Sequence, residues 1–119
     1  MKVTIPGKFP SLNEYINAER RHRFMAAKMK KEWTDLVYSY AIEQVPVTAR
    51  PKKFPVGIKF IVHEQNSRRD IDNVASMVAK FGLDGLVKAG VLPDDSQKYI
   101  NKIEFEFIVD KTSVVEIII

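Results

Sequence analysis

The changing spacing of apolar residues along the chain is the feature that most constrains its fold. Between Arg23 and Gln44 they recur three and four positions apart, which is the spacing of a helix with one buried face. From Val56 to His63, and again from Ile103 to Phe107, they recur at every second position, which is the spacing of a half-buried strand. This succession of periods predicts a sheet with helices packed on it.

Shorter signals complete the order of the elements. A first strand is predicted from Lys2 to Ile5, and Pro6-Gly7 ends it. A second helix is predicted to begin near Asp72, and a last strand to cover Val114 to Ile119. The order β-α-β-α-β-β predicts an α+β fold, a small mixed β-sheet with two helices on one face. The 119 residues are expected to form one domain, residues 1–119.

Two sets of positions are predicted to be buried on the helices. The face of the first helix comprises Met25, Met29, Trp33, Leu36, Val37, Tyr40 and Ala41, and that of the second comprises Val74, Val78, Phe81 and Gly85. The segment "FPSLNEY" before the first helix is expected to be rich in turns, with Ser11 and Asn13 as candidate helix caps. The C-terminal strand is too apolar for an exposed edge, so we expect it inside the sheet or at a subunit interface.

The composition narrows the class of protein. The chain has no cysteine, which excludes disulfides and thiolate metal sites. It has no apolar run long enough to cross a membrane, and its first residues, Met1 to Ser11, contain no apolar stretch of signal-peptide length. We therefore expect a soluble, cytoplasmic protein without a membrane partner.

Basic residues are clustered, and the formal net charge is +4. The largest cluster comprises Arg20, Arg21, Arg23, Lys28, Lys30 and Lys31, and two smaller ones comprise Arg50, Lys52 and Lys53, and Arg68 and Arg69. Any one of these clusters is typical of a solvated face. Three of them in so short a chain favour a polyanionic partner such as DNA.

Acidic residues stand at two places within this basic background. Asp70 and Asp72 are two positions apart, so that in an extended segment both side chains point to one side. Asp94 and Asp95 follow the second predicted helix. Carboxylates are the ligands that Mg²⁺ prefers, and the ion commonly takes one or two of them together with a substrate phosphate. These acids therefore predict a magnesium site beside a nucleic-acid phosphate.

The spacing of the acids does not identify a third ligand. Asp84 lies on the same predicted helix as Asp72, about 18 Å away at ~1.5 Å per residue, which is too far to share an ion. Asp94 or Asp95 could join Asp70 if the strand that follows them neighbours the strand that precedes Asp70. The alternative interpretation is structural, with Asp72 as a helix cap worth about 1 kcal/mol and Asp94-Asp95 as part of a polar turn.

The stretch from Arg68 to Gln97 resembles the RusA family of Holliday-junction resolvases, small endodeoxyribonucleases common in phages and prophages. The motifs that carry the resemblance are Arg68-Arg69-Asp70-Ile71-Asp72-Asn73, Asp84-Gly85-Leu86, Lys88-Ala89-Gly90 and Asp94-Asp95-Ser96-Gln97. The opening "TIPGKFPSLNEY" is similar to the family's first strand, proline-rich turn and Ser-x-Asn-x-x-Tyr stretch, with Asn13 and Tyr15 closer together. The resemblance therefore spans nearly the whole chain.

The resemblance implies a homodimeric, Mg²⁺-dependent nuclease that binds four-way junction DNA and resolves it by paired symmetric nicks, in DNA recombination and repair. It implies that Asp70, Asp72 and Asp95 are the metal-binding and catalytic carboxylates. The residues expected to contact DNA are those beside these acids and those of the largest basic cluster, namely Arg68, Arg69, Asn73, Arg20, Arg21, Arg23 and Lys28.

One position departs from the family pattern. The family has its catalytic lysine four residues after the second aspartate, where this chain has Ser76. If the helix carries a four-residue insertion, Lys80 takes that role. The family lysine and Lys80 then both stand four residues before the aspartate of the helix, which is Asp84 in this chain. Three hypotheses follow: an active resolvase that uses Lys80, a junction-binding protein with weak or no cleavage, and a basic α+β domain whose acids only cap and turn.

Overall fold

The sheet contains four strands, β1 (Lys2–Pro6), β2 (Val56–Glu64), β3 (Ile100–Val109) and β4 (Val114–Ile118). In the computed structural model, which describes residues 1–119, their spatial order is β1-β4-β2-β3. β4 is antiparallel to both β1 and β2, whereas β2 and β3 run parallel. The sheet is therefore mixed, and the predicted α+β class is confirmed. The apolar C-terminal strand lies inside the sheet, which is one of the two places expected for it.

The structure has three α-helices, α1 (Leu12–Arg21), α2 (Arg23–Gln44) and α3 (Ile71–Lys88), and a short 3-10 turn at Val47–Ala49. The bounds predicted for the long helix are those of α2. The predicted helix near Asp72 is α3, which begins one residue earlier. None of these helices combines the length and the apolar character that crossing a membrane requires.

The additional helix, α1, occupies the segment that was expected to be rich in turns. The hydroxyl of Ser11, a predicted cap, accepts a hydrogen bond from the backbone N–H of Glu14 at 3.2 Å, which satisfies one free donor of the first turn. His22 has an extended backbone, with φ at −168°, and this residue separates α1 from α2. Its ring nitrogen Nδ1 accepts a hydrogen bond from the N–H of Phe24 at 3.2 Å, so it also caps α2.

The core lies between the helices and one face of the sheet. All four predicted positions of α3 are buried, namely Val74, Val78, Phe81 and Gly85. On α2, Val37 and Ala41 are buried, and Met29, Trp33, Leu36 and Tyr40 pack partly buried against the core. Met25 was predicted to be buried but is 45% exposed. The first turn of α2 buries the small side chain of Ala26 instead.

Close contact between α2 and α3 depends on the absence of a side chain at Gly85. A Cβ atom at this position would overlap the side chain of Val37 and would lie 3.1 Å from the carbonyl oxygen of Thr34. The neighbouring Gly82 allows a similar approach to the sheet, where a Cβ would lie 2.8 Å from Phe60 Cε1. These two glycines let α3 lie close to both α2 and the sheet.

A histidine joins three parts of the sheet on its other side. His63 in β2 lies 2.7 Å (Nδ1) from Asp110 Oδ2 and 2.8 Å (Nε2) from Glu116 Oε2. Its hydrogen bonds to Glu116 and then to Asp110 raise the pKa of His63. The pKa of Asp110 is lowered to about 2, first by its hydrogen bond with Thr112 and then by the one with His63. The imidazolium form is therefore favoured, and it ties β2 to β4 and to the β3–β4 turn.

We predict that Gly85→Ala destabilises the protein by about 1–3 kcal/mol, because the added methyl group overpacks the α2–α3 contact. This loss exceeds the gain of about 1 kcal/mol that alanine brings to a helix interior. Gly57→Ala is the matched control, since a Cβ there would lie 3.7 Å from Lys102 Cβ, an ordinary contact. Urea denaturation of both variants measures the difference. Equal midpoints would mean that the helices separate without cost.

Candidate metal and DNA site

The loop between β2 and α3 is held in place by Arg69. Its Nε and Nη2 atoms donate to Glu64 Oε1 at 3.0 and 2.6 Å, and its Nη1 atom donates to the carbonyl oxygen of Phe9 at 2.7 Å. Glu64 is the last residue of β2, and it is buried. Arg69 therefore connects the end of β2 with the segment before α1, and it does so directly beside Asp70.

Asp70 and Asp72 lie exposed at the N-terminus of α3. Asp70 occupies the N-cap position, but its side chain makes no capping hydrogen bond. Asp72 lies in the first turn, where its Oδ1 atom accepts the N–H of Asn73 at 2.9 Å. Asp72 is therefore not the N-cap residue that the structural interpretation assumed. Negative charge is favoured at this end of a helix, and most of the oxygen lone pairs of both carboxylates face solvent.

Asn73 was expected to contact DNA, and its side chain has a structural contact in the protein. Its Oδ1 atom accepts the backbone N–H of Asn13 in α1 at 3.0 Å. This hydrogen bond joins α1 to the first turn of α3. A role for Asn73 at the scissile phosphate stays a prediction.

The face of α3 beyond Asp72 carries Ser76 and Lys80 in successive turns. The Ser76 hydroxyl donates to the carbonyl oxygen of Asp72 at 2.6 Å. The ammonium group of Lys80 lies 3.2 Å from Asp84 Oδ2, one further turn along the helix. α3 is a continuous α-helix of 18 residues, so no bulge absorbs the insertion. The backbone of Lys80 is therefore about 12 Å along the axis from that of Asp72, and that of Ser76 about 6 Å.

Asp95 lies in the loop before β3, and backbone hydrogen bonds join this loop to the start of the strand. The carbonyl oxygen of Ser96 accepts the N–H groups of Tyr99 and Ile100, both at 3.0 Å. β3 is the neighbour of β2, as a shared site with Asp70 would require. The two strands are parallel, however, with Val56 opposite Ile100 and Glu64 opposite Val109.

The parallel pairing places the two acidic segments at opposite ends of the sheet. Asp70 follows Glu64 at one end of β2, whereas Asp95 precedes Ile100, which pairs with the other end of β2. The nine residues of β2 span about 26 Å, and α3 returns over about the same length. No group of three or more His, Asp or Glu side chains is close enough in the protomer to hold a metal ion. Asp95 therefore does not join Asp70 and Asp72 within one chain.

The donor set at the end of β2 suits a hard cation nonetheless. Asp70 and Asp72 provide two exposed carboxylates, and Mg²⁺ takes one or two carboxylates from a protein and completes its octahedron with water and substrate oxygens. Asp70 and Asp72 are therefore the residues that fit such an ion. Their role as metal ligands stays a prediction, as does that of Asp95.

The expected DNA-binding arginines differ in how free their side chains are. Arg68 is exposed, and only its backbone N–H is engaged, by Asn66 Oδ1 at 3.0 Å. Arg69, in contrast, directs its guanidinium group at protein atoms. Neither the importance of Arg69 for the fold nor that of Glu64 was expected from the sequence. The signal for Glu64 was its place in the alternation of buried residues Ile58, Phe60 and Val62.

The largest basic cluster surrounds the corner between α1 and α2. The side chains of Arg20, Arg21, Arg23 and Lys28 are exposed there. The guanidinium carbon of Arg23 lies 5.0 Å from the ring centroid of Phe24, which is itself exposed. The ammonium group of Lys28 lies 3.8 Å from Glu32 Oε1, a weak surface pair that leaves it available to a phosphate.

We predict that Arg69→Gln destabilises the protein by about 3 kcal/mol, because it leaves the buried Glu64 carboxylate without its charged partner. Arg68→Gln is the matched control, because the side chain of Arg68 is exposed. This substitution is expected to change the free energy of unfolding by no more than about 0.5 kcal/mol. Denaturant midpoints at neutral pH measure both variants. A similar stability for the two would contradict the structural role of Arg69.

A comparison with protein-family models matches residues 6–119 to the family described as Endodeoxyribonuclease RusA. A comparison with curated proteins finds no match. The family match covers nearly the whole chain, including the β2–α3 loop, all of α3 and the loop that carries Asp95. The resemblance inferred from the motifs is therefore confirmed: the chain belongs to the RusA family and is an endodeoxyribonuclease that acts on Holliday junctions.

Proposed function

We propose that the protein resolves four-way DNA junctions by Mg²⁺-dependent, paired and symmetric nicks, as part of DNA recombination and repair in the cytoplasm. The observation that carries this proposal is the pair of exposed carboxylates, Asp70 and Asp72, on a helix N-terminus that the buried contact between Arg69 and Glu64 holds in place. Such a rigidly supported acidic pair is suited to a metal-dependent phosphodiesterase. Membership of a nuclease family supports this role of the acids over their interpretation as a cap and a turn.

The chemistry divides between the ion and the side chains of α3. When bound, Mg²⁺ lowers the pKa of a water molecule and compensates the charge on the phosphate. Asp70 and Asp72 would hold the ion at the end of β2. Lys80 stabilises the negative charge that develops on the phosphate in the transition state. Ser76 lies between them on the helix. The Lys80 ammonium group pairs with Asp84 at 3.2 Å, and it has to leave this pair to extend toward the N-terminus of α3.

The basic surface positions the DNA. Arg68 lies beside Asp70, and the exposed cluster at the α1–α2 corner provides further phosphate contacts. Contacts of this kind fix the register of DNA on a protein but do not read its sequence. Binding is therefore expected to select the shape of the junction and to weaken as salt is added. In a homodimer with two-fold symmetry, two identical sites face opposite arms of the junction, from which paired cuts follow.

A second candidate function is a junction-binding protein that cuts weakly or not at all. The observation that favours it is the position of Lys80, two turns from Asp72 and paired with Asp84. The two functions share the same DNA surface. They differ in whether the Lys80 ammonium group reaches the scissile phosphate. Cleavage of a synthetic junction separates them.

We predict that Asp72→Asn lowers the rate of junction cleavage by more than about 100-fold, because the metal loses a charged ligand, while binding changes only a few fold. Gel assays with a labelled four-way junction, with Mg²⁺ and with chelator, measure cleavage, and mobility shifts measure binding. Glu43→Gln is the control, since it removes an exposed carboxylate on α2, remote from α3's N-terminus in sequence. Wild-type cleavage by Asp72→Asn would remove this residue from the site.

We predict that Lys80→Ala lowers the rate of cleavage by about 10-fold or more, whereas Ser76→Ala changes it little, because only Lys80 carries a charge. Single-turnover cleavage of the same junction measures both. Equal effects would mean that the catalytic cation is not Lys80. In that case Ser76→Lys, which places an ammonium group one turn from Asp72, is expected to raise the rate.

A further inference from the structure

An exposed phenylalanine stands at the α1–α2 corner. The six consecutive residues from Arg20 to Met25 are all exposed, and Phe24, which is 64% exposed, carries the largest apolar side chain among them. A single exposed apolar residue is ordinary on a protein surface. Phe24 differs because the backbone beneath it is fixed, because planar groups adjoin its ring, and because cations surround it.

Hydrogen bonds fix the backbone of this corner. The N–H of His22 donates to the carbonyl oxygen of Ala18 at 3.1 Å, and the N–H of Met25 donates to that of His22 at 2.9 Å. The N–H of Phe24 itself donates to Nδ1 of His22 at 3.2 Å. Phe24 therefore projects from the capped first turn of a helix, and its ring has a defined direction.

Two planar side chains adjoin the ring of Phe24. The ring of His22 lies 4.9 Å away between centroids, at an angle of 33° between the planes. The guanidinium carbon of Arg23 lies 5.0 Å from the Phe24 centroid. Nucleobases stack on aromatic rings and on guanidinium planes. The corner therefore offers contacts to the face of a base as well as to a phosphate.

The excess positive charge of the protein is concentrated here. Residues 19–31 include six basic side chains and one acidic side chain. The rest of the chain has 13 basic and 14 acidic residues, so it contributes no net positive charge. An occupant of this corner is therefore a polyanion. DNA with interrupted base pairing provides both the phosphates and the accessible base faces that this surface can bind.

α1 connects the corner to the acidic pair. The N–H of Asn13, near the start of α1, donates to Oδ1 of Asn73, which directly follows Asp72. Arg21, at the other end of α1, is eight residues further, or about 12 Å along the helix axis. This length is the rise of roughly four base pairs of DNA at about 3.4 Å each. A strand held at the acids therefore reaches the corner within a few nucleotides.

We propose that Phe24 inserts between bases at the branch point of the junction and unstacks them, while the arginines of the corner hold the flanking phosphates. Apolar side chains that enter between base steps partly unstack them and bend the DNA. Unstacking costs least where pairing is already interrupted, so the ring favours a junction over a continuous duplex. The inference rests on the proposed function, because it assigns the residue that opens the DNA before cleavage.

A fluorescent base tests the insertion without cleavage. 2-Aminopurine, which brightens when it is unstacked, replaces an adenine at the branch point of a synthetic junction, in chelator and at saturating protein. The wild-type protein is expected to raise its fluorescence about two-fold or more, and Phe24→Ala is expected to leave it nearly unchanged. Phe24→Tyr keeps an aromatic ring and is expected to retain the rise. The same label in the middle of one arm is the DNA control and is expected to stay constant.

Binding measurements separate the ring from the phosphate contacts. Phe24→Ala is expected to weaken binding to the junction about 10-fold and binding to a linear duplex by less than about two-fold, equally at low and high salt, because the ring has no charge. Arg23→Gln is expected to weaken binding to both DNAs and to reduce the salt dependence. Val47→Ala is the matched control, since Val47 is a 71% exposed apolar residue beyond the other end of α2, and it is expected to change neither.

Three results would overturn the proposal. They are an unchanged rise of fluorescence with Phe24→Ala, an equal loss of junction and duplex binding, and a changed sedimentation of the free variant, which would assign the ring to a protein contact. Circular dichroism checks that the variant is folded, as expected for an exposed side chain. A wild-type protein that opens the labelled junction but does not cut it with Mg²⁺ would contradict the proposed nuclease and support the insertion. Cleavage without a rise in fluorescence would do the reverse.

Discussion

The candidate site depends on one largely buried ion pair, that between Arg69 and Glu64. Burying charges is costly, and the pair is stable because one guanidinium group forms hydrogen bonds with both a carboxylate and the Phe9 carbonyl. These contacts join the end of β2, the segment before α1 and the start of α3. Asp70 follows Arg69 directly. The ion pair therefore sets the position of the two acidic residues, Asp70 and Asp72, more than their own hydrogen bonds do. The glycines of α3 then determine how closely the helix approaches its neighbours.

The direction of β3 has consequences for the chemistry. A β-α-β connection with parallel strands carries the chain from one end of the sheet back to the other, so the acids before and after α3 are separated by the length of a strand. The same geometry leaves β3 at the edge of the sheet, with β2 as its neighbour.

Several elements were predictable because the signals for them are local. The bounds of α2, the buried face of α3 and the alternation in β2 follow from the period of apolar residues, which a single element determines. The helix α1 was missed because its sequence is short and polar, and its stability depends on the Ser11 cap and on the contact of Asn13 with Asn73. The exposure of Met25 was missed for a similar reason. Which residue of a helical face meets the core depends on where the neighbouring elements end.

By itself, the sequence determined the fold class, the succession of the four strands along the chain and the motifs that relate this chain to a family of junction endonucleases. It also marked the acids that are candidates for the metal, because carboxylates are the ligands that Mg²⁺ prefers. Only the tertiary structure decided that Arg69 is engaged by the protein and that Asp95 stands at the far end of the sheet. The physical reason is that spacing along the chain defines local geometry, whereas strand direction and ion pairing are settled by contacts between residues distant in sequence.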